Sequence, residues 1–194
     1  MIFEREVPVA DVTSTQDVVA FLKEQHNRIK ELFAETLNAT DKEKRQKAFF
    51  ELRSLLAVHE TAEEMVVHPR ARRELEDGDK VVDARLQEEN QAKKELQKID
   101  SMDTGSQQFL DALTELQKAV LEHAEHEEAE EFNRMQNELD AGALKRMVGA
   151  VRAAEAIAPT RPHAGVESAM ANLAAGPYAS VLDRVRDAIQ TAIR

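Results

Sequence analysis

The stretch VHETAEEMVVHP, residues 58–69, places a histidine and a glutamate four positions apart within an apolar helical pattern. A second stretch, EHAEHEEAEEF at residues 122–132, repeats that spacing. A helix turns about 100° per residue, so side chains at positions i and i+4 lie on one face, one turn apart. Both pairs continue an apolar stripe and are therefore predicted to face a protein interior. The pairs are His59 with Glu63 and His123 with Glu127.

Helical periodicity covers most of the 194-residue chain, which contains six glycines and five prolines. The predicted helices begin at Ser14 or Thr15, after Asp41, near Asp79 and after Ser106, and the first three end near Leu37, His68 and the SMDTGS break. The second is predicted to stop at His68 because the residue before a proline avoids the helical conformation. Four such helices with short connections predict an all-α, up-down-up-down antiparallel four-helix bundle.

We divide the chain into an N-terminal extension (1–14), the bundle (15–137) and a C-terminal helical appendage (138–194). The appendage contains two predicted amphipathic helices, GALKRMVGAVRAAEAI and YASVLDRVRDAIQTAI, separated by PTRPHAG. The N-terminus, MIFEREVPVADVTST, has no continuous apolar run, so neither a signal peptide nor a membrane anchor is expected. We therefore expect a soluble, cytoplasmic protein.

Composition excludes several functional classes. The formal net charge of −11 disfavours nucleic acids and anionic membranes as partners, because both repel an acidic protein. The chain has no cysteine, which excludes disulfides and thiolate-bound metal centres. Any metal must therefore be held by nitrogen and oxygen ligands from histidine, aspartate or glutamate.

The two His-x-x-x-Glu pairs are joined by a fifth inward-facing polar residue, His26, at the centre of the first helix's apolar stripe. Burying one ionised carboxylate costs several kcal/mol, and two in one small core require a compensating cation. A metal ion supplies that charge. The predicted metal ligands are His26, His59, Glu63, His123 and Glu127.

The third predicted helix is the exception, because charged residues occupy the middle of its apolar stripe. Glu89 and Lys93 point toward the level of the other ligands, and Asn90 falls nearer the edge. Glu89 is either an additional metal ligand or the partner of Lys93 in a buried ion pair. The residues leave both interpretations open.

The other polar residues near these motifs are not expected to bind the metal. His126, Glu128, Glu130 and Glu131 are expected on a solvated acidic flank, Glu60 and Glu64 on the surface, His68 at a helix end beside Pro69, and His163 in a loop.

Three motifs in this order resemble the hemerythrin-type His-His-Glu cation-binding family over roughly residues 16–137. They are FLKEQHNRIKELF around His26, VHETAEEMVVHP with His59 and Glu63, and EHAEHEEAEEF with His123 and Glu127. The resemblance implies a four-helix bundle around a di-iron centre, bridged by two carboxylates and an oxygen, with an open position for dioxygen or peroxide. The chain departs from the family in its third helix, EENQAKKEL, where Asn90 stands at the position expected for a histidine.

The resulting hypothesis is a non-haem iron protein, di-iron or mono-iron, that binds or reduces dioxygen, peroxide or nitric oxide. A second hypothesis is a metal-responsive sensor or scaffold without turnover, in which the segment after Asn137 transmits occupancy. A third is a bundle that has lost its metal and is held by Lys93 and buried glutamates. The motifs do not specify the oligomeric state.

Overall fold

The computed structural model describes residues 17–160 together with Asp187 and Ile189. Every regular element in these residues is helical, and no helix among them is long and apolar enough to cross a membrane. The elements are α1 (Val18–Asn38), α2 (Lys42–Ala62), a π-helical segment (Glu63–Val67), α3 (His68–Glu74), α4 (Gly78–Asp100), α5 (Gln107–His126), a second π-helical segment (Glu127–Phe132), α6 (Asn133–Glu138) and α7 (Ala141–Glu155).

These elements form the predicted four-helix bundle. Two of the four bundle helices contain a π-helical segment and continue through it. Helices α1 and α4 are the first and third, while residues 42–74 and 107–138 form the second and fourth. Helix α7 packs against α1, α2 and the first π-helical segment.

Side-chain caps start α2 and α5 at the residues that the sequence predicts. Asp41 accepts a hydrogen bond from the Lys44 amide at 2.9 Å, and Ser106 accepts one from the Phe109 amide at 3.1 Å. The cap of α1 is Asp17, which accepts from the Ala20 amide, whereas Ser14 and Thr15 lie outside the described residues.

The predicted end of the second helix near His68 is wrong, since helical structure continues to Glu74. Pro69 cannot donate a backbone hydrogen bond, and the turn before it is widened: the His68 amide donates to the carbonyl of Glu63, five residues back. The second π-helical segment shows the same pattern, with Asn133 donating to the Glu128 carbonyl.

The core consists of two apolar clusters. The first includes Leu22, Ala62, Phe132 and residues of α7, and the second includes Ile29, Leu56, Leu96, Phe109 and Val120. Along each bundle helix the apolar sequence passes from one cluster to the other, and the intervening buried positions are polar. The site described below lies in this polar layer.

The C-terminal appendage is described only in part. Helix α7 buries Leu144, Met147 and Val151 in the first cluster, and Ile189 is buried there too. Most of the second predicted amphipathic helix and His163 lie outside the described residues.

Candidate metal centre

Each of the four bundle helices contributes a buried polar side chain to the layer between the two apolar clusters. They are His26 from α1, His59 from α2, Glu89 from α4 and His123 from α5, all between 1% and 9% exposed. Glu63 and Glu127 begin the two π-helical segments and are fully buried. The structure thus brings together the five predicted metal ligands and Glu89, which the sequence left open as a sixth ligand.

The orientations of His26 and His59 leave two lone pairs facing each other. His26 Nδ1 lies 2.9 Å from Glu128 Oε1, and His59 Nδ1 lies 2.8 Å from Gln25 Oε1. Because both partners are oxygen acceptors, a neutral ring carries its proton on Nδ1 and its lone pair on Nε2. The two Nε2 atoms are 3.1 Å apart, a repulsive arrangement unless a proton or a cation lies between them.

His123 has the same orientation. Its Nδ1 lies 2.9 Å from Glu88 Oε2, and its Nε2 is buried, lies 3.2 Å from Glu127 Oε1 and forms no hydrogen bond of good geometry. A histidine that binds a metal usually donates its other ring N–H to a carboxylate or a carbonyl, which fixes the tautomer. All three histidines show this pattern.

The carboxylates of Glu63 and Glu127 are the least satisfied polar groups in the described part of the chain. All four of their oxygens are buried and none has a hydrogen-bond partner. Glu63 Oε2 lies 3.3 Å from His59 Nε2, and Glu127 Oε2 lies 3.3 Å from His26 Nε2. Buried polar atoms without partners are rare and indicate a missing ligand such as an ion.

These side chains form two overlapping groups whose ligand atoms all lie within 4.8 Å of one another. The first contains His26, His59, Glu63 and Glu127, and the second contains Glu63, Glu89, His123 and Glu127. Glu63 and Glu127 belong to both, so the two groups define two adjacent candidate cation positions that share two carboxylates.

The candidate ligands differ in the direction of their pKa shifts. Burial and the neighbouring His26 lower the pKa of His59 to about 3, which keeps its ring neutral. Burial and the charge of Glu127 raise the pKa of Glu63 well above its usual range. Burial disfavours the charged forms of both Glu127 and His123. Their mutual attraction outweighs burial, so it lowers the pKa of Glu127 and raises that of His123. Without a metal, protons therefore balance part of the charge at this site.

Glu89 is both a member of the second group and a partner of Lys93. Its Oε2 lies 3.2 Å from Lys93 Nζ, which also lies 3.5 Å from Glu60 Oε2 and donates to Glu64. The expectation that Glu60 and Glu64 are surface residues is wrong: Glu60 is 5% exposed and the Glu64 side chain 13%. Their carboxylates face inward because the Lys93 ammonium compensates their charge.

His68 and Glu131 are also buried, and their expected placement at a helix end and on a solvated flank is wrong. His68 Nε2 lies 2.6 Å from Glu89 Oε1, and its Nδ1 lies 3.0 Å from Glu131 Oε1. In a regular α-helix, His68 would lie about 180° from His59, but a π-helical turn adds one residue and returns the side chain toward the site. In the sequence, the feature that indicates this widened turn is the proline after His68.

Burial of His68 opposes its ionisation, but the charges of Glu131 and Glu89 raise its pKa well above the ordinary value. His68 therefore forms a buried ion-pair cluster beside the second cation position. The ligand atoms of His68, Glu131 and Glu127 also lie within 4.8 Å of one another.

The remaining candidates lie away from the cation positions, as expected. The side chains of His126 and Glu130 are 40% and 54% exposed, and Glu128 is 36% exposed. Asn90 is half-buried and belongs to neither group, so the inward position on α4 is that of Glu89.

A metal ion fits this donor set. Histidine nitrogens and carboxylate oxygens without thiolates suit iron and related divalent metals, and paired glutamates with histidines hold di-iron and di-manganese centres in other helix bundles. Lys93 and His68 form ion pairs with Glu60, Glu64, Glu89 and Glu131, whereas neither cation forms an ion pair with Glu63, whose two carboxylate oxygens have no hydrogen-bond partner.

A small cavity of about 20 Å³ adjoins the histidines. It is lined by His26, His59 and His123 together with apolar side chains that include Ile29, Leu56 and Val120. A cavity needs roughly 10–15 Å³ on this measure to hold one water molecule. The space therefore accommodates a molecule of very few atoms.

Comparison with known proteins identifies a protein family that matches the chain. The family model described as the hemerythrin HHE cation binding domain matches residues 17–135. A protein of Nostoc sp. named DNA nickase is 28% identical over 140 residues, 72% of this chain and 38% of that protein. A Schizosaccharomyces pombe protein described as hemerythrin-like is 26% identical over 137 residues, 70% of this chain and 68% of its own length.

One solved structure shares the fold. The crystal structure of a hemerythrin HHE cation binding domain-containing protein from Mycobacterium kansasii aligns with a TM-score of 0.60 and 17% identity. The alignment covers 88% of this chain and 99% of that one.

Proposed function

Because the chain belongs to the hemerythrin HHE cation-binding family, we propose that it is a non-haem iron protein that binds or reduces a small oxygen species. The candidate species are dioxygen, peroxide and nitric oxide. The observation that carries the proposal is the 3.1 Å approach of the His26 and His59 Nε2 atoms beside the partnerless oxygens of Glu63 and Glu127.

In this proposal the two ligand groups hold two iron ions. His26 and His59 serve the first position, His123 and Glu89 serve the second, and Glu63 and Glu127 are shared. Iron, when bound, supplies the redox chemistry that these side chains lack. A mono-iron form would fill the first position, which has two imidazole donors.

The protein's own contribution is orientation and exclusion of water. Glu128, Gln25 and Glu88 hold the three histidine rings with Nε2 toward the site. Ile29, Leu56 and Val120 line the cavity of about 20 Å³ and restrict access to small molecules. This arrangement favours a diatomic ligand or peroxide over a larger organic substrate.

The ion-pair alternative is less well supported, because the Lys93 ammonium pairs with carboxylates other than the two central ones. Its ammonium group contacts Glu60, Glu64 and Glu89, and Glu63 and Glu127 are not among its ion-pair partners. Without a metal, the charge at Glu63 and Glu127 is balanced only by protons on Glu63 and His123, and all four of their carboxylate oxygens still have no hydrogen-bond partner.

The DNA activity named for the Nostoc relative does not enter the proposal. This chain spans 38% of the length of that protein, and its net charge of −11 disfavours binding to phosphate.

The test is metal analysis followed by reaction. Protein reconstituted anaerobically with ferrous ion should retain one to two iron ions per chain after desalting, and exposure to dioxygen, peroxide or nitric oxide should change its optical spectrum. Retention of iron with no spectral response to any of the three would leave only cation binding and remove the oxygen-species proposal.

A further inference from the structure

Gln25 connects the candidate metal centre to α7, outside the four-helix bundle. It precedes His26 on α1, and its Oε1 lies 2.8 Å from His59 Nδ1. Its Nε2 donates a hydrogen bond to Oε1 of Glu155, the last residue of α7. Two hydrogen bonds thus join the end of α7 to a predicted metal ligand.

The direction of these hydrogen bonds determines the state of His59. A carboxylate only accepts hydrogen bonds, so Glu155 requires the NH₂ group of Gln25 and leaves the amide oxygen for His59. That oxygen in turn requires a proton on His59 Nδ1 and leaves the Nε2 lone pair directed at the site. Glu155 therefore sets the tautomer of a ligand that it does not touch.

His59 differs in this respect from the other two histidines. His26 and His123 donate from Nδ1 directly to the carboxylates of Glu128 and Glu88, whereas His59 meets an amide that can present either oxygen or nitrogen. Only the partner of the amide removes that ambiguity. The function of His59 consequently depends on where α7 places Glu155.

The position of Glu155 is fixed by the packing of α7. Leu144, Met147, Val151 and Ala154 are at most 4% exposed and belong to the same apolar cluster as Leu22 of α1. The guanidinium of Arg152 lies 5.3 Å from the centre of the Phe21 ring on α1. This packing holds the last turn of α7 against the helix that carries Gln25 and His26.

We propose that Gln25 and Glu155 are positioning residues for His59, so that α7 is a structural part of the metal centre and its docking is coupled to metal occupancy. The inference rests on the proposed metal binding. Coupling of this kind is reciprocal: a docked α7 raises metal affinity, and bound metal stabilises the docked α7 by the same factor.

The first test measures ferrous-ion affinity anaerobically by competition with a chromophoric chelator, in the full chain. Gln25→Leu removes the oxygen that orients His59 and should weaken binding about 10- to 100-fold, the usual effect of losing a hydrogen-bond partner of a metal ligand. Glu155→Leu should weaken it less, because Gln25 then orients His59 in only part of the population.

Two variants serve as matched controls. Glu155→Gln keeps an oxygen that can accept from the Gln25 amide, although its own amide can also donate, so it should bind ferrous ion more tightly than Glu155→Leu does. Glu125→Leu removes the same charge from an exposed position of α5 and should match the parent. Circular dichroism of every variant checks that the helices are retained.

The double variant Gln25→Leu/Glu155→Leu separates positioning from general packing. If Glu155 acts through Gln25, the double variant should bind ferrous ion no more weakly than Gln25→Leu alone. If the two losses instead multiply, Glu155 acts only through the packing of α7 and the relay is excluded.

Hydrogen exchange supplies the reciprocal measurement. Addition of ferrous ion should slow exchange of the α7 amides, Ala141–Glu155, in the parent and in Glu155→Gln, but not in Gln25→Leu. A parent that fails to bind ferrous ion would overturn the proposed function. A parent that binds it, with Gln25→Leu and Glu155→Leu of unchanged affinity, would overturn only the role of α7.

Discussion

The Nε2 atoms of His26 and His59 lie 3.1 Å apart although the Nδ1 atom of each ring faces a side-chain oxygen. If both rings are neutral, their lone pairs oppose each other, which is unfavourable unless a proton or a metal cation lies between the two nitrogens. The arrangement is therefore preorganised for a metal ion, and the following predictions test that conclusion and its consequences.

Replacing His59 with alanine should abolish the first cation position. Iron per chain should fall, and the rise in melting temperature on adding iron should be lost, because binding to the native state stabilises by about 2.7 kcal/mol at 100 times Kd. His126→Ala should change neither quantity, since His126 is half-exposed and belongs to neither ligand group. Equal iron content in His59→Ala and the parent would contradict the assignment.

Lys93→Met should destabilise the metal-free protein by roughly 3–5 kcal/mol, because it removes the ammonium that contacts Glu60, Glu64 and Glu89. Iron content should hold or rise, since the ammonium repels a metal at the second position. Urea unfolding and metal analysis measure the two effects. A large loss of stability with no iron in either protein would support the ion-pair alternative.

His68→Ala should also destabilise the metal-free protein by roughly 3–5 kcal/mol, because it leaves Glu131 buried without its ion-pair partner and removes one of the two cations that contact Glu89. Adding Glu131→Gln to this variant should recover part of the loss, because one unpaired charge is removed. Urea unfolding of the single and double variants decides the point, and an unaffected single variant would show that the cluster contributes nothing to stability.

Glu60 should make the stability of the metal-free protein depend on pH. Burial, partly offset by Lys93, raises its pKa from 4.5 to about 8, so the folded state binds more protons than the unfolded state between these values. Its contribution to the unfolding free energy should therefore fall as pH rises from 4.5 to 8. Glu60→Gln should flatten the curve in that window; an identical curve would contradict the shifted pKa.

Val120→Ile should fill the cavity of about 20 Å³ beside the histidines. Iron content should be unchanged, whereas the reaction with dioxygen or nitric oxide should slow by about tenfold, if displacing the added methylene costs about 1.4 kcal/mol. Stopped-flow absorption measures the rate. An unchanged rate would mean that the small molecule reaches the site by another route.

The sequence by itself determined the bundle and the inward placement of its central histidines and glutamates. Apolar periodicity specified four helices, and residues at i and i+4 remain on one face whatever the neighbouring helices do, which is why His59 with Glu63 and His123 with Glu127 were predicted to face inward. The cap residues Asp41 and Ser106 acted locally in the same way.

The tertiary structure alone decided what depends on helix phase and on partners distant in sequence. The first π-helical segment rotates His68 into the core, a change that a uniform 100° wheel does not represent. Glu60 is buried and Glu64 is half-buried because Lys93 of α4 reaches them from another helix. Whether a charged side chain is buried depends on the free energy of its partners, and those partners become neighbours only when the chain has folded.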